Sequence, residues 1–184
     1  MNKTNSLLEI YRVDVKFLAE KHIDWEFNNS SPKHGAIVLA NILNTCNEVC
    51  IFDTDLSGDV AYKHDDFLNA IERFSYGHNK KLKIAIKNNQ NGGMLYKKIR
   101  ELNASNIEIR KVDDFNLIYR FSKENSSGEF NNVNFAVGDN RAFRIEFYNK
   151  NPKYKAKCNF NSPEKTTKLK EIFMNLYNKG QKIT

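Results

Sequence analysis

The run Ala36-Ile37-Val38-Leu39-Ala40-Asn41-Ile42-Leu43-Asn44-Thr45-Cys46-Asn47-Glu48-Val49-Cys50-Ile51-Phe52-Asp53 contains both of the periodicities that decide the fold. In its first half Ala36, Ile37, Leu39, Ala40, Ile42 and Leu43 form one apolar stripe, which predicts a helix from about Lys33 to Cys46. In its second half Val49-Cys50-Ile51-Phe52 is continuously apolar, as a strand covered on both faces must be. The pattern then repeats. A helix is expected over about Asp65–Phe74, closed by Gly77, and a strand over Leu82–Ile86. A third helix over Met94–Leu102 and a third strand over Ile107–Val112 follow. Helix and strand alternating three times implies a parallel sheet between helices.

On the C-terminal side the rhythm changes. Leu117–Phe121 reads as a short strand and Lys123–Gly128 as a polar loop. Val133–Val137, Arg141–Tyr148 and Tyr154–Phe160 are closely spaced strands, expected to be antiparallel. Ser162-Pro163-Glu164 has the form of a helix start, with Ser162 as N-cap and Pro163 at the first helical position. Leu169, Ile172, Phe173, Leu176 and Tyr177 form that helix's buried face, and Gly180 closes it. On the N-terminal side the reading is divided: Ile10–Val15 alternates like a strand, while Val15–Trp25 fits a short amphipathic helix equally well. The polar cluster Asn28-Asn29-Ser30-Ser31-Pro32 breaks either one. The expected fold class is α/β, a mixed sheet of parallel βα units followed by antiparallel strands, sandwiched by helices. A single domain over 1–184 is expected, with residues 1–32 as an N-terminal extension.

The chain has 184 residues, 40% hydrophobic and 12% aromatic, enough to build a core and too apolar for a disordered polymer. No apolar run approaches the ~18 residues that cross a bilayer, and the first residues lack a signal-peptide core. Cys46, Cys50 and Cys158 are too few and too scattered for a disulfide framework, so a soluble, reducing, cytoplasmic setting without membrane partners is expected. The net charge of +7 is unevenly spread. Residues 1–77 hold 7 basic and 12 acidic groups, net −5. Residues 78–120 hold 10 and 4, net +6; residues 121–140 hold 1 and 3, net −2; residues 141–184 hold 11 and 3, net +8. A basic second half suits nucleic acid or another anionic partner as well as it suits solvated lysines.

The order of elements, together with Asn132-Val133-Asn134-Phe135-Ala136-Val137-Gly138-Asp139, resembles one half of the phospholipase D-like superfamily over about residues 33–178. Lys33-His34-Gly35-Ala36 entering a helix, and a strand that runs into Asp55-Leu56-Ser57-Gly58, resemble the start of such domains. Active members carry His-x-Lys-x-x-x-x-Asp, in which the His attacks phosphorus, the Lys binds the non-bridging oxygens and the Asp supports them. Here Asp139 stands at the Asp position, Asn132 at the His position and Asn134 at the Lys position. Asn159-Phe160-Asn161 lies where active members place a Gly-Ser-x-Asn-like turn. An amide nitrogen is not basic and cannot replace the imidazole nucleophile, and without the Lys no charge stabilises the phosphorane. The resemblance therefore implies a pseudoenzyme without a cofactor, and a homodimer, because single-half members pair two copies. Its partner would be nucleic acid or an effector protein.

Other constellations stand beside this one. Asp53-Thr54-Asp55 at the end of a buried strand has the form of a Mg²⁺-dependent phosphatase motif, with Asp113-Asp114 as further ligands; a solvated strand end is the plainer account. A divergent phosphodiesterase or nuclease is the second enzymatic alternative. His34 opens a helix where a ligand could touch it, whereas His64-Asp65-Asp66 reads as helix capping. Asn88-Asn89-Gln90-Asn91-Gly92-Gly93 sits between strand and helix, where α/β folds bind ligands, but lacks the Lys-Ser/Thr of a P-loop. Strand alternation in Arg141–Tyr148 puts Arg144 and Glu146 on the face opposite Phe143, Ile145 and Phe147. With Arg141 they are expected to project beside Asp139, as a cross-strand ion pair, as a residual polar pocket or as the dimer seam at the vestigial site.

Overall fold

The computed structural model describes residues 3–54, 60–87, 93–125, 132–148 and 156–183. In chain order the elements are α1 (Lys3–Glu20), β1 (Phe27–Asn29), α2 (Pro32–Thr45), β2 (Glu48–Asp53), a 3₁₀ turn (Val60–Lys63), α3 (Asp65–Ser75) and β3 (Lys81–Ile86). Then follow α4 (Met94–Leu102), β4 (Ile107–Lys111), α5 (Asn116–Asn125), β5 (Asn132–Gly138), β6 (Ala142–Tyr148), β7 (Ala156–Asn159), α6 (Pro163–Tyr177) and β8 (Gln181–Lys182). The strands form one sheet in the order β1-β7-β6-β5-β2-β3-β4-β8. β2, β3 and β4 are parallel, and every other pairing is antiparallel.

Both faces of the sheet are covered, as the unbroken apolar run of β2 requires. Val49 and Ile51 join the core made with α1, α2, α3 and α4, while Cys50 and Phe52 join the core made with α5 and α6. The same alternation divides β5: Ala136 faces the first core, and Val133, Phe135 and Val137 the second. α2 lies at the centre of the first core, starting from Ser31, whose hydroxyl caps it by accepting the His34 N–H at 3.2 Å.

Several sequence expectations change. Ile10–Val15 is not a strand: Tyr11, Val15, Leu18 and Ala19 recur at helical spacing on the inner side of α1, and Ile10 and Val13 look outward. Asn28 and Asn29 do not merely break the chain but pair with Lys157 and Ala156 as β1. Leu117–Phe121 is helical, because Phe115, Ile118 and Phe121 meet the second core at helical rather than alternate spacing. Ser162 occupies the N-cap of α6, yet its side chain accepts no capping bond; its backbone carbonyl accepts from the N–H and the hydroxyl of Thr166. His64, not Asp65 or Asp66, is the N-cap residue of α3, and Asp66 instead receives Arg12 at 2.8 Å from α1.

Candidate functional site

Residues that the sequence analysis treats as separate candidates share one rung of the sheet. β2 and β5 pair antiparallel through Phe52 and Phe135, so the next step along the ladder sets Asp53 beside Asn134. Asn134 is opposite Glu146 on β6, Glu146 is opposite Ala156 on β7, and Ala156 is opposite Asn29 on β1. A transverse row of polar side chains, interrupted only by an alanine, thus crosses five strands at the carboxyl end of β2. In open α/β sheets that end is where ligands bind.

These side chains, and Arg144 two positions along β6 from Glu146, are almost wholly buried: Asp53 is 1% exposed, Asn134 5%, Glu146 2% and Arg144 3%. Polar groups so deep must be paired, and each has a visible partner. The Tyr62 hydroxyl donates to Asp53 Oδ2 at 2.9 Å. Asn134 Oδ1 accepts from the Thr54 backbone N–H at 3.1 Å and faces the Thr54 hydroxyl at 3.3 Å. Arg144 donates to Glu146 Oε2 at 3.0 Å and, through Nε, to Asn29 Oδ1 at 3.3 Å; the Cys158 thiol also reaches Asn29 Oδ1, at 3.2 Å. Burial pushes the Cys158 thiol up to about 12, so it stays a neutral donor. Arg144 fits beneath α2 because residue 35 is glycine: a Cβ there would stand 3.0 Å from Arg144 Nη2.

α1 closes the row from above. The Tyr11 ring stacks on His34 with centroids 4.0 Å apart, and burial holds the His34 imidazole below its ordinary pKa, hence neutral near pH 7. Burial likewise raises the Tyr11 phenol. Tyr11 Oη and Asn29 Nδ2 have no hydrogen-bond partner among the described residues.

The remaining candidates lie elsewhere. Asp139 does not adjoin Arg144 and Glu146 as expected, because it sits in the β5–β6 turn at the other end of β2. Five strand steps at ~3.3 Å each put the two ends about 16 Å apart. There, at a left-handed φ of 50°, its Oδ1 accepts the backbone N–H groups of Asn47 and Glu48, both at 2.9 Å. Arg141 binds the carbonyl of Thr45 at that same end and approaches Asp139 at 4.0 Å. Asn159 forms a local turn, donating to Asp24 at 2.8 Å and accepting from the Asn161 N–H at 2.8 Å. Asn132 is the first residue of β5, opposite Tyr148. Asp55 and the run Asn88–Gly92 lie outside the described residues. Asp113 and Asp114 are exposed and paired with Lys111 and Lys179. Among the described residues no three His, Cys, Asp or Glu side chains are grouped to hold a metal. No helix among them is long and apolar enough to cross a membrane.

Sequence reasoning missed Asn29, Tyr62, Thr54 and Tyr11. Tyr62 and Tyr11 have no motif to announce them, Thr54 stood in Asp53-Thr54-Asp55 only as the spacer between two carboxylates, and Asn29 stood in a cluster whose composition signalled only a break.

No family model matches the chain, and no curated protein matches it in sequence. Its three-dimensional form does have counterparts. The phospholipase D family member Nuc from Salmonella typhimurium superposes with a TM-score of 0.57 at 13% identity, covering 88% of this chain and 99% of that one. The fold is phospholipase D-like. The archaeal chromatin protein TrmBL2, described as showing a novel mode of DNA binding, superposes with a TM-score of 0.57 at 14% identity. That match takes in 98% of this chain but 63% of TrmBL2.

Proposed function

We propose that this chain is a catalytically inactive phospholipase D-like protein that binds nucleic acid and assembles as a homo-oligomer. The observation that carries the reading is the state of the buried row. At the position where the resemblance implies a phosphate-binding lysine stands Asn134, whose oxygen is already bonded to Thr54. The cation beside the row, Arg144, is buried against Glu146 at 3.0 Å. A phosphodiester arriving there would meet an amide and a neutralised guanidinium, so neither covalent attack nor phosphorane stabilisation has its agent. Asp139, the motif's third member, holds the start of β2 in place.

Cations are instead available outside. Lys97, Arg120 and Lys123 are exposed and make no ion pair among the described residues. Lys87 lies over the Phe115 ring at 4.8 Å, at the open end of β3. Such groups supply the sequence-independent phosphate contacts that dominate nucleic-acid affinity. Self-association is favoured by the outer stripe of α1, where Leu7, Ile10, Val13 and Phe17 are each more than half exposed.

The test combines DNA binding across a salt series with phosphodiester and phosphomonoester hydrolysis, with and without EDTA. Steeply salt-dependent binding without turnover is expected. EDTA-sensitive turnover abolished by Asp53→Asn would reverse the reading in favour of a Mg²⁺-dependent phosphatase using Asp53 and Asp55; EDTA-insensitive phosphodiester turnover would favour a divergent nuclease. Light scattering is expected to give a mass above that of one chain. Salt-independent silence toward DNA would leave a protein partner as the surviving form of the binding-module reading.

A further inference from the structure

On the sheet face opposite the polar row, a cavity of about 210 Å³ opens between β6, β7, α5 and α6. Its walls include the rings of Phe121, Phe143 and Phe147, and its rim carries Lys157, Lys165 and Lys168. We infer that this cavity receives one unstacked base of a single-stranded nucleic acid, with the neighbouring phosphates on the three lysines. The inference rests on the nucleic-acid reading above and adds the strand form and the contact site.

Size, wall and rim agree. Drug-sized ligands occupy about 300–1,000 Å³, so this smaller space suits a single planar ring system. Aromatic walls are what sequence-tolerant binding of unpaired bases uses, because every base presents a π-face. Phe121 and Phe147 are half-buried and line the cavity, and Lys165 Nζ lies 5.6 Å from the Phe143 centroid. The lysines come from two elements, β7 and the first turns of α6, so they line the mouth on two sides. They are paired now, Lys157 and Lys165 with Glu26 and Lys168 with Glu164 at 3.0 Å. All of these lysine side chains are more than half exposed, and ion pairs of that kind are worth about 0–1 kcal/mol, little enough for a phosphate to displace. A purely acyl ligand would have no use for a mouth carrying three ammonium groups, and a duplex would keep its bases stacked away from the cavity.

The test measures fluorescence anisotropy of a labelled oligothymidine, and of a duplex of equal length, on the full chain and two variants. Phe121→Leu keeps the apolar volume and removes a ring face. The double variant Lys157→Glu/Lys168→Glu changes only exposed positions and so keeps the test open if the first variant loses its circular-dichroism spectrum. Tighter binding of oligothymidine than duplex is expected. Phe121→Leu should weaken oligothymidine about tenfold, in line with the loss of one stacked base, and leave duplex unchanged. The lysine variant should flatten the salt dependence for oligothymidine. Equal affinity for both nucleic acids with neither variant having an effect would overturn this inference alone. Failure of both to bind would overturn the nucleic-acid reading with it. Saturable oleate binding lost in Phe121→Leu, without any change toward oligothymidine, would give the cavity to an acyl chain and equally refute a base site.

Discussion

The two ends of β2 handle charge in opposite ways. At its carboxyl end Asp53, Asn134, Glu146 and Arg144 are buried and paired at close range, Asp53 with Tyr62, Asn134 with Thr54 and Arg144 with Glu146. At its amino end Glu48 is half-buried, takes Lys83 at 2.8 Å and Lys170 at 2.6 Å, and sits beside the Asp139 cap. The first arrangement excludes water, so the loss of one partner strands a charge. The second keeps contact with solvent, so a lost partner is partly replaced by water. Position along one strand, rather than the number of charges, sets what each is worth.

The sharpest way to break this contrast is Arg144→Met. It leaves Glu146 buried without its cation and should cost about 3–5 kcal/mol, read as a lowered urea midpoint. Adding Glu146→Leu should recover much of that loss, since two apolar groups need no partner. A double variant no more stable than Arg144→Met would show that the pair itself stabilises the fold. Next, Asn134→Ala leaves the Thr54 N–H without its acceptor and should cost about 1–3 kcal/mol. A neutral outcome would mean that the row tolerates loss of its polar bonds.

At the other end the effects are smaller and depend on pH. Burial opposes ionisation of Glu48, but hydrogen bonds from Lys170 and Lys83 outweigh it and hold its pKa at about 2, against an ordinary value of 4.5. A carboxylate depressed on folding stabilises fully above its unfolded pKa, and that contribution fades as pH falls from about 4.5 toward 2. Exposure of the side chain limits it to under about 2 kcal/mol. Glu48→Gln should therefore lower stability at pH 7 and match the parent protein near pH 2, in thermal melts at several pH values. A constant difference across that range would assign the loss to packing. The smallest effect is expected from Asp139→Asn, within about 0.5 kcal/mol: asparagine tolerates left-handed φ and retains an oxygen for the Asn47 and Glu48 amides. Loss of DNA binding in Asp139→Asn at unchanged stability would show that Asp139 serves the ligand as well as the turn.

Much of this is legible in the amino-acid sequence. The switch from helical to strand spacing around Cys46 locates α2 and β2, and its repetition gives the parallel centre. Leu117–Phe121 misleads because a ten-residue helix with scattered aromatics can also be read in alternation. The row itself was visible only in fragments. Asp53, Asn134 and Glu146 are separated by 81 and 12 positions in the chain, and only the antiparallel register of β2, β5 and β6 brings them to one rung. A register is a property of strand pairs, and no single strand's sequence states it. For the same reason Asp139, five residues from Asn134, looked like a neighbour and proved to belong to the far end.

The margins of the sheet have a consequence for assembly. β1, at one border, offers three residues and β8, at the other, only two. So few unpaired backbone groups cannot template a further strand, which is how sheet proteins resist fusing edge to edge into aggregates. On the proposed self-association, a second copy would join through helices or strand ends and not by extending the sheet edge to edge.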